Sequence, residues 1–224
     1  MNLKKIKYFF SATQRRILLD KLLLSHLNIF TSESVVLDIG GRDRGIFKKP
    51  KNKVKKWIFV DIEPKHNPDI ILDVSNMKNI ASDSMDIILA TELFEHVEKP
   101  EDGLKECFRV LKKDGIMILS VPFLYRVHGD PFDFQRWTNI KWTKELESIG
   151  FKIDELIIMG RYFTVMVDNF KFFAQIFWGI FRYPAYIFLA IKGTIARRLD
   201  ETNLVKNNLV LGSFHGGYFI KVKK

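Results

Sequence analysis

The chain has 224 residues, 47% of them hydrophobic, and a formal charge of +10. That is long and apolar enough for one sizeable domain with a full core, and it excludes a disordered or low-complexity chain. A single cysteine, Cys107, excludes an intramolecular disulfide framework and a Cys-rich zinc site, and agrees with a reducing compartment.

The N-terminus, M-N-L-K-K-I-K-Y-F-F, is positively charged, but its apolar run before Arg15 and Arg16 is too short for a secretory signal. Ile17, Leu18 and Leu22 then repeat at helical spacing to about Leu27. The expectation is a helical cover over residues 1–30, lying on the sheet or the binding site, or touching a membrane.

Val35 to Gly45 reads V-V-L-D-I-G-G-R-D-R-G: a buried strand ends in Asp38 and turns on Gly40 and Gly41, which can approach a ligand closely. A dinucleotide fingerprint would need a second glycine where Arg42 stands. The acid just before the turn suits a cationic ligand better than a pyrophosphate, and a purely structural turn remains the alternative. Only about ten residues separate Gly45 from Trp57, too few for a full helix. Into that interval fall Lys48, Lys49, Lys51, Lys53, Lys55 and Lys56, broken by Pro50. The run suits nucleic-acid phosphates, anionic lipid head groups, a pyrophosphate-bearing substrate or plain solvation. No recognisable nucleic-acid module accompanies it.

Trp57 to Glu63 reads as a second buried strand, ending in Asp61, which lies 21 residues beyond Gly40. That is about the offset at which nucleotide-binding α/β folds set an acid against ribose hydroxyls, and Ile62 follows it into the same edge. Pro68-Asp69 opens a short third strand ending at Asp73, and Met85 to Ala90 reads as a fourth. Next comes A-T-E-L-F-E-H-V-E-K-P, then a helix from Pro100, with Glu101 and Asp102 in its first turn and Lys112 and Lys113 at its end. A fifth strand, Ile116 to Val121, stops at Pro122.

The D-x-G turn, Asp61, and above all the block with Glu92, Glu95 and His96 in E-x-x-E-H resemble class I S-adenosylmethionine-dependent methyltransferases of the small-molecule branch. The resemblance implies a Rossmann-like α/β fold with a seven-stranded sheet, mostly parallel, whose last strand is antiparallel. It implies S-adenosylmethionine as cofactor, with Asp38, Gly40 and Gly41 at the methionine end and Asp61 with Ile62 at the ribose. Asp73 and Val74 would face the adenine, while Ala90 and Thr91 approach the methionine end. Arg42 and Arg44 depart from the family's glycine-rich loop, and whether they contact substrate is left open.

Beyond Pro122, V-P-F-L-Y-R-V-H-G-D-P-F-D-F-Q-R-W-T mixes proton acceptors (His128, Asp130, Asp133) with aromatic surfaces at the sheet edge where open α/β sheets bind ligands. The stretch is similar to a run in methyltransferases of cell-surface glycan and lipid-linked sugar biosynthesis. Tyr125, Asp133, Arg136 and Trp137 are therefore the candidate substrate residues. His128 is the first candidate for the general base, by residue type and position, and His96 the second. The five histidines are scattered, with no compact His-carboxylate cluster in the sequence, so transfer without a metal is the expectation.

Thr138 caps a helix that Gly150 stops, and Phe151 to Met159 reads as a sixth strand. The last strand suits the C-terminal G-G-Y-F-I-K-V-K-K, leaving a helical insertion over residues 161–208 in an otherwise single domain, 1–224. Its apolar runs, Phe172 to Phe181 and Tyr183 to Ile191, are too short to span a bilayer singly, and Arg182 would sit near the centre of a joint span. Aromatics flanked by bases suit peripheral membrane contact through 170–198; a homodimer contact is the competing use. The sequence thus points to O-methylation of a sugar on a lipid-linked or nucleotide-linked glycan precursor, in the cytoplasm at the inner membrane face. A non-catalytic methyltransferase-like binding protein and a nucleic-acid methyltransferase are the alternatives.

Overall fold

Strand β1 (Val35–Ile39) is buried on both faces, as a central parallel strand must be, and its five residues pair with β2 (Lys56–Asp61) on one side. On its other side lies β4 (Met85–Thr91), with Val36, Leu37 and Asp38 opposite Ile87, Ile88 and Leu89. A computed structural model of the chain describes residues 8–42, 45–129, 132–176 and 182–224. It completes the sheet with β3 (Ile70–Ile71), β5 (Leu111–Pro122), β6 (Lys152–Ile158) and β7 (Gly217–Lys223), in the order β3-β2-β1-β4-β5-β7-β6. The first five strands in that order run parallel, and β7 returns antiparallel, its end tied by Lys224 N to Gly115 O at 3.1 Å. The expected α/β sheet is therefore present, antiparallel last strand included.

Between β1 and β2 a single 3₁₀ turn, Lys51–Lys53, stands where a longer link would carry a helix. The shortened connection follows from the interval read in the sequence and from Pro50, whose ring blocks helix continuation. Helix α2 (Pro100–Val110) begins on Pro100 and buries Leu104, Cys107 and Val110. It ends three residues earlier than its charges suggest. Leu111 turns extended at φ −67° and ψ 138°, is fully buried and pairs with Met85, so Lys112 and Lys113 belong to β5. Helix α3 (Asn139–Ile149) follows its capping signals: Thr138 Oγ1 accepts from Lys141 N, and Gly150 closes it at φ +112°.

Backbone contacts divide the chain into two units, taken over the described residues. The one with the sheet comprises His26–Asp43, Lys48–Ile157 and Tyr218–Lys224. The other comprises Met1–Ser25, Arg44–Phe47 and Ile158–Gly217. It holds the N-terminal helix αN (Gln14–Ser25) and the insertion as α4 (Tyr162–Phe173), α5 (Arg182–Asp200) and the short α6 (Asn203–Lys206). Helix αN packs on α4, its first amides donating from Gln14 and Arg15 to the Asp168 carboxylate at 2.6 and 3.2 Å. Pro184 sits in the first turn of α5, where its missing amide costs nothing. Arg44, Asp130 and residues 177–181 of the first apolar run lie outside the described residues.

Candidate active site

The turn after β1 is built on two close approaches. Gly40 adopts φ +63° and donates its amide to Val60 O at 2.8 Å; a Cβ there would come 2.8 Å from Leu93 Cδ1. At Gly41 a Cβ would fall 1.8 Å from Asp38 Oδ1. Asp38 itself is 2% exposed, and its carboxylate holds Lys49 Nζ at 2.6 Å and Trp57 Nε1 at 3.1 Å. Lys49 also donates to the Gly41 carbonyl. Burial pushes the Asp38 carboxyl above its usual range, against the pull of Lys49. One lysine of the basic run is thus an internal clamp that closes the shortened loop.

Above this turn, at the C-terminal edge of β1, β2 and β4, opens a cavity of about 480 Å³. Gly40, Asp61, Ile62, Asp73 and Val74 line it together, as the sequence-based assignment requires of a nucleotide-like ligand. Asp61 accepts from Glu63 N at 2.9 Å, and its other oxygen meets His66 Nδ1 at 3.0 Å. Asp73 accepts from the Ser75 amide and hydroxyl, both at 2.8 Å. Ile62 is 57% exposed although apolar, which fits a flat hydrophobic ligand face laid against it. Asp38, Gly41, Ala90 and Thr91 are not among the lining residues: Ala90 is wholly buried in β4, and Thr91 ends the strand opposite Ser120. Glu92 takes their place in the wall, at φ +55°, its carboxylate accepting from Ser120 Oγ at 3.1 Å.

The cavity also gathers Arg42 and His66, whose Nη1 and Nε2 are 3.5 Å apart. His66 was not legible as a site residue. Its only sequence signal is its place on the Pro64 turn directly after Asp61.

The loop after β5 docks on the 92–98 loop. Gln135 donates to the carbonyls of Phe94 and Val97 at 2.9 and 2.8 Å, and Phe134 N donates to Glu95 O at 2.8 Å. Within it Asp133 is the hub. One oxygen accepts from His128 N at 2.9 Å and meets His128 Nδ1 at 3.1 Å, while Arg136 grips both oxygens. Burial alone would raise the Asp133 carboxyl, but Arg136 and the His128 amide outweigh it and hold it at about 2. His128 is lowered, first by burial and then by the neighbouring His96 and Arg136, against the pull of Asp133. Tyr125 sets its ring edge-on to His128 at 5.2 Å. Trp137 packs instead on Trp142, at 4.7 Å, under Lys141.

His96 lines the cavity and stands ring to ring with His128 at 5.0 Å, so the two candidate catalytic histidines, 32 residues apart in sequence, meet. With Glu95 they bring three metal-ligating groups within 4.8 Å of one another, a cluster that the scattered histidines of the sequence conceal.

Comparisons with known proteins agree with this geometry. Residues 33–119 match the methyltransferase domain family. A SAM-dependent methyltransferase of known structure from Archaeoglobus fulgidus is similar at a TM-score of 0.58 and 16% identity, covering 93% of this chain and 94% of that one. A second, from Mesorhizobium loti, gives a TM-score of 0.59 at 12% identity, covering 91% and 96%. The [4+2]-cyclase SpnF shares the fold at a TM-score of 0.54 and 14% identity, covering 92% and 79%. No curated protein sequence matches the chain. The matched segment contains the cavity's strands and its acids, and the cofactor it implies is S-adenosylmethionine. The cavity's chemistry suits that group: its carboxylates can accept from hydroxyls and amines, its exposed isoleucine can cover an aromatic ring, and a glycine leaves the turn open.

Proposed function

We propose that this S-adenosylmethionine-dependent methyltransferase methylates a sugar hydroxyl on a lipid-linked or nucleotide-linked glycan precursor at a membrane face. The observation that carries the reading is the cavity's outer rim. There Phe132 and Phe134, 63% and 47% exposed with ring centroids 5.7 Å apart, stand beside His96. Exposed aromatic faces suit the C–H face of a sugar ring.

The cofactor supplies an electrophilic methyl group on a sulfonium. The chain's own task is to bind, align and exclude water. In this reading Asp61 holds the ribose hydroxyls, Asp73, Val74 and Ile62 the adenine, and Gly40 and Glu92 border the methionine end, with Asp38 bracing the turn from behind through Lys49. Ala90 and Thr91 carry Glu92 to its place. The acceptor hydroxyl enters beside His96 and His128 and is activated there, with the Tyr125 ring set against His128. Replacing His128 by Ala is expected to abolish turnover while leaving cofactor affinity within about twofold, read by calorimetry alongside methyl transfer. Unchanged turnover would remove His128 from the reaction.

The lipid side of the proposal draws on α5. Tyr183, Ile187, Ile191 and Ile195, at i, i+4 spacing, and the adjoining Phe188 are 47–63% exposed, with Lys192 over the Phe188 ring. None of the described helices is long and apolar enough to cross a membrane, so contact in this reading is interfacial. Mass spectrometry of the native glycan from cells with and without this protein tests the reaction. A glycan lighter by one methylene is expected without the protein, and an identical glycan mass would refute glycan methylation.

A further inference from the structure

We propose that Glu95, His96 and His128 form a binding site for one divalent transition-metal ion, of which Zn²⁺ is the type, at the acceptor end of the cavity. A carboxylate oxygen of Glu95 and a ring nitrogen of each histidine already lie within 4.8 Å of one another, with His96 Nε2 3.7 Å from Glu95 Oε1. An ion at about 2.0–2.2 Å from nitrogen and oxygen donors sets tetrahedral neighbours roughly 3.3 Å apart, so side-chain rotations of about an ångström close the set.

The surroundings prepare these donors in a way that packing alone does not demand. His96 Nδ1 faces the carbonyl of Phe132, an acceptor only, so that nitrogen carries the hydrogen and Nε2 keeps the lone pair. His128 Nδ1 faces the Asp133 carboxylate at 3.1 Å, which fixes the same tautomer in the second ring. Asp133 is itself held by Arg136, giving a carboxylate–histidine arrangement of the kind that orients metal-bound imidazoles. Glu95, 1% exposed, brings a carboxyl group into the interior beside the two rings, and a bound cation would favour its ionised form. Two imidazoles and one carboxylate leave further positions on the ion, and His96 belongs to the cavity wall, so those positions open toward the cavity.

A sugar hydroxyl entering there would bind the ion through oxygen. Coordination weakens its O–H bond, the proton passes to water, and the oxygen keeps the electron pair for attack. This last step rests on the acceptor proposed above; the ion site does not.

The test uses the full chain, stripped with a chelator and dialysed, then titrated with Co²⁺ by visible absorption and with Zn²⁺ by calorimetry. One equivalent is expected, with a ligand-field band for Co²⁺. Glu95→Gln, His96→Gln and His128→Gln should each weaken binding about 100-fold or more, and Asp133→Asn about 10- to 100-fold. Circular dichroism checks each fold, and if the buried Glu95→Gln variant does not fold, the two histidine variants decide. No binding by the wild type, or binding that persists in the histidine variants, would overturn the site. Ion binding without S-adenosylmethionine binding would leave the site standing and count against the function.

Discussion

At the scale of single residues, the pair Asp38 and Lys49 determines the turn that opens the cavity. The ammonium and the carboxylate are 2.6 Å apart, with side chains 11% and 2% exposed. Truncating one member leaves the other charge buried, which costs about 3–5 kcal/mol. Lys49→Met is therefore expected to lower unfolding stability by about 3 kcal/mol in urea, and adding Asp38→Asn should restore part of it. Equal stability of Lys49→Met and wild type would mean that the clamp contributes nothing. The acid's place in the turn was legible in the sequence from the D-x-G pattern, although its role as the buried anion of a clamp was not. Its partner was not, because among six lysines in nine residues nothing marks the one that turns inward. The same holds for the Glu95–His96–His128 cluster. Residues 96 and 128 become neighbours only when the loop after β5 folds back through Gln135 onto the Phe94 and Val97 carbonyls.

At the scale of elements, local sequence signals set the boundaries where backbone chemistry dominates and lose them where strand pairing does. Helix α3 follows its capping residues at both ends, and Gly150→Ala, forced to φ +112° with Phe108 3.1 Å from the new Cβ, should cost about 1–2 kcal/mol. The end of α2 was misplaced because pairing of Leu111 with Met85 overrides the helix-favouring charges of Lys112 and Lys113. A tertiary contact also governs how αN begins. Asp168 accepts from the Gln14 and Arg15 amides, yet burial pushes its carboxyl up to about 6 from the ordinary 3.8. An acid whose folded pKa is raised binds its proton more tightly when folded, so its contribution falls as pH rises from about 4 to about 6. The stability advantage of wild type over Asp168→Asn should accordingly be larger at pH 4 than at pH 7 by thermal unfolding. A gap that widens toward pH 7 would contradict this.

At the scale of the whole molecule, the sequence gives away the sheet, because the alternation of apolar strands with acids at their ends has a short list of solutions. The surface that α5 leaves open is a matter of exposure, which periodicity alone does not settle. Its apolar stripe should carry the protein to vesicles rich in anionic phosphatidylglycerol, and Ile187→Asp with Ile191→Asp should leave most of it in the supernatant on sedimentation. Unchanged partitioning would refute interfacial contact, and a dimer broken by the same substitutions would assign the face to a second copy. Beneath all of this lies the claim that the cavity at the ends of β1, β2 and β4 holds S-adenosylmethionine. Calorimetric titration of the full chain tests it most directly. Saturable one-to-one binding is expected, weakened about tenfold or more by Asp61→Ala; no heat at high protein concentration, or full affinity in that variant, would contradict it.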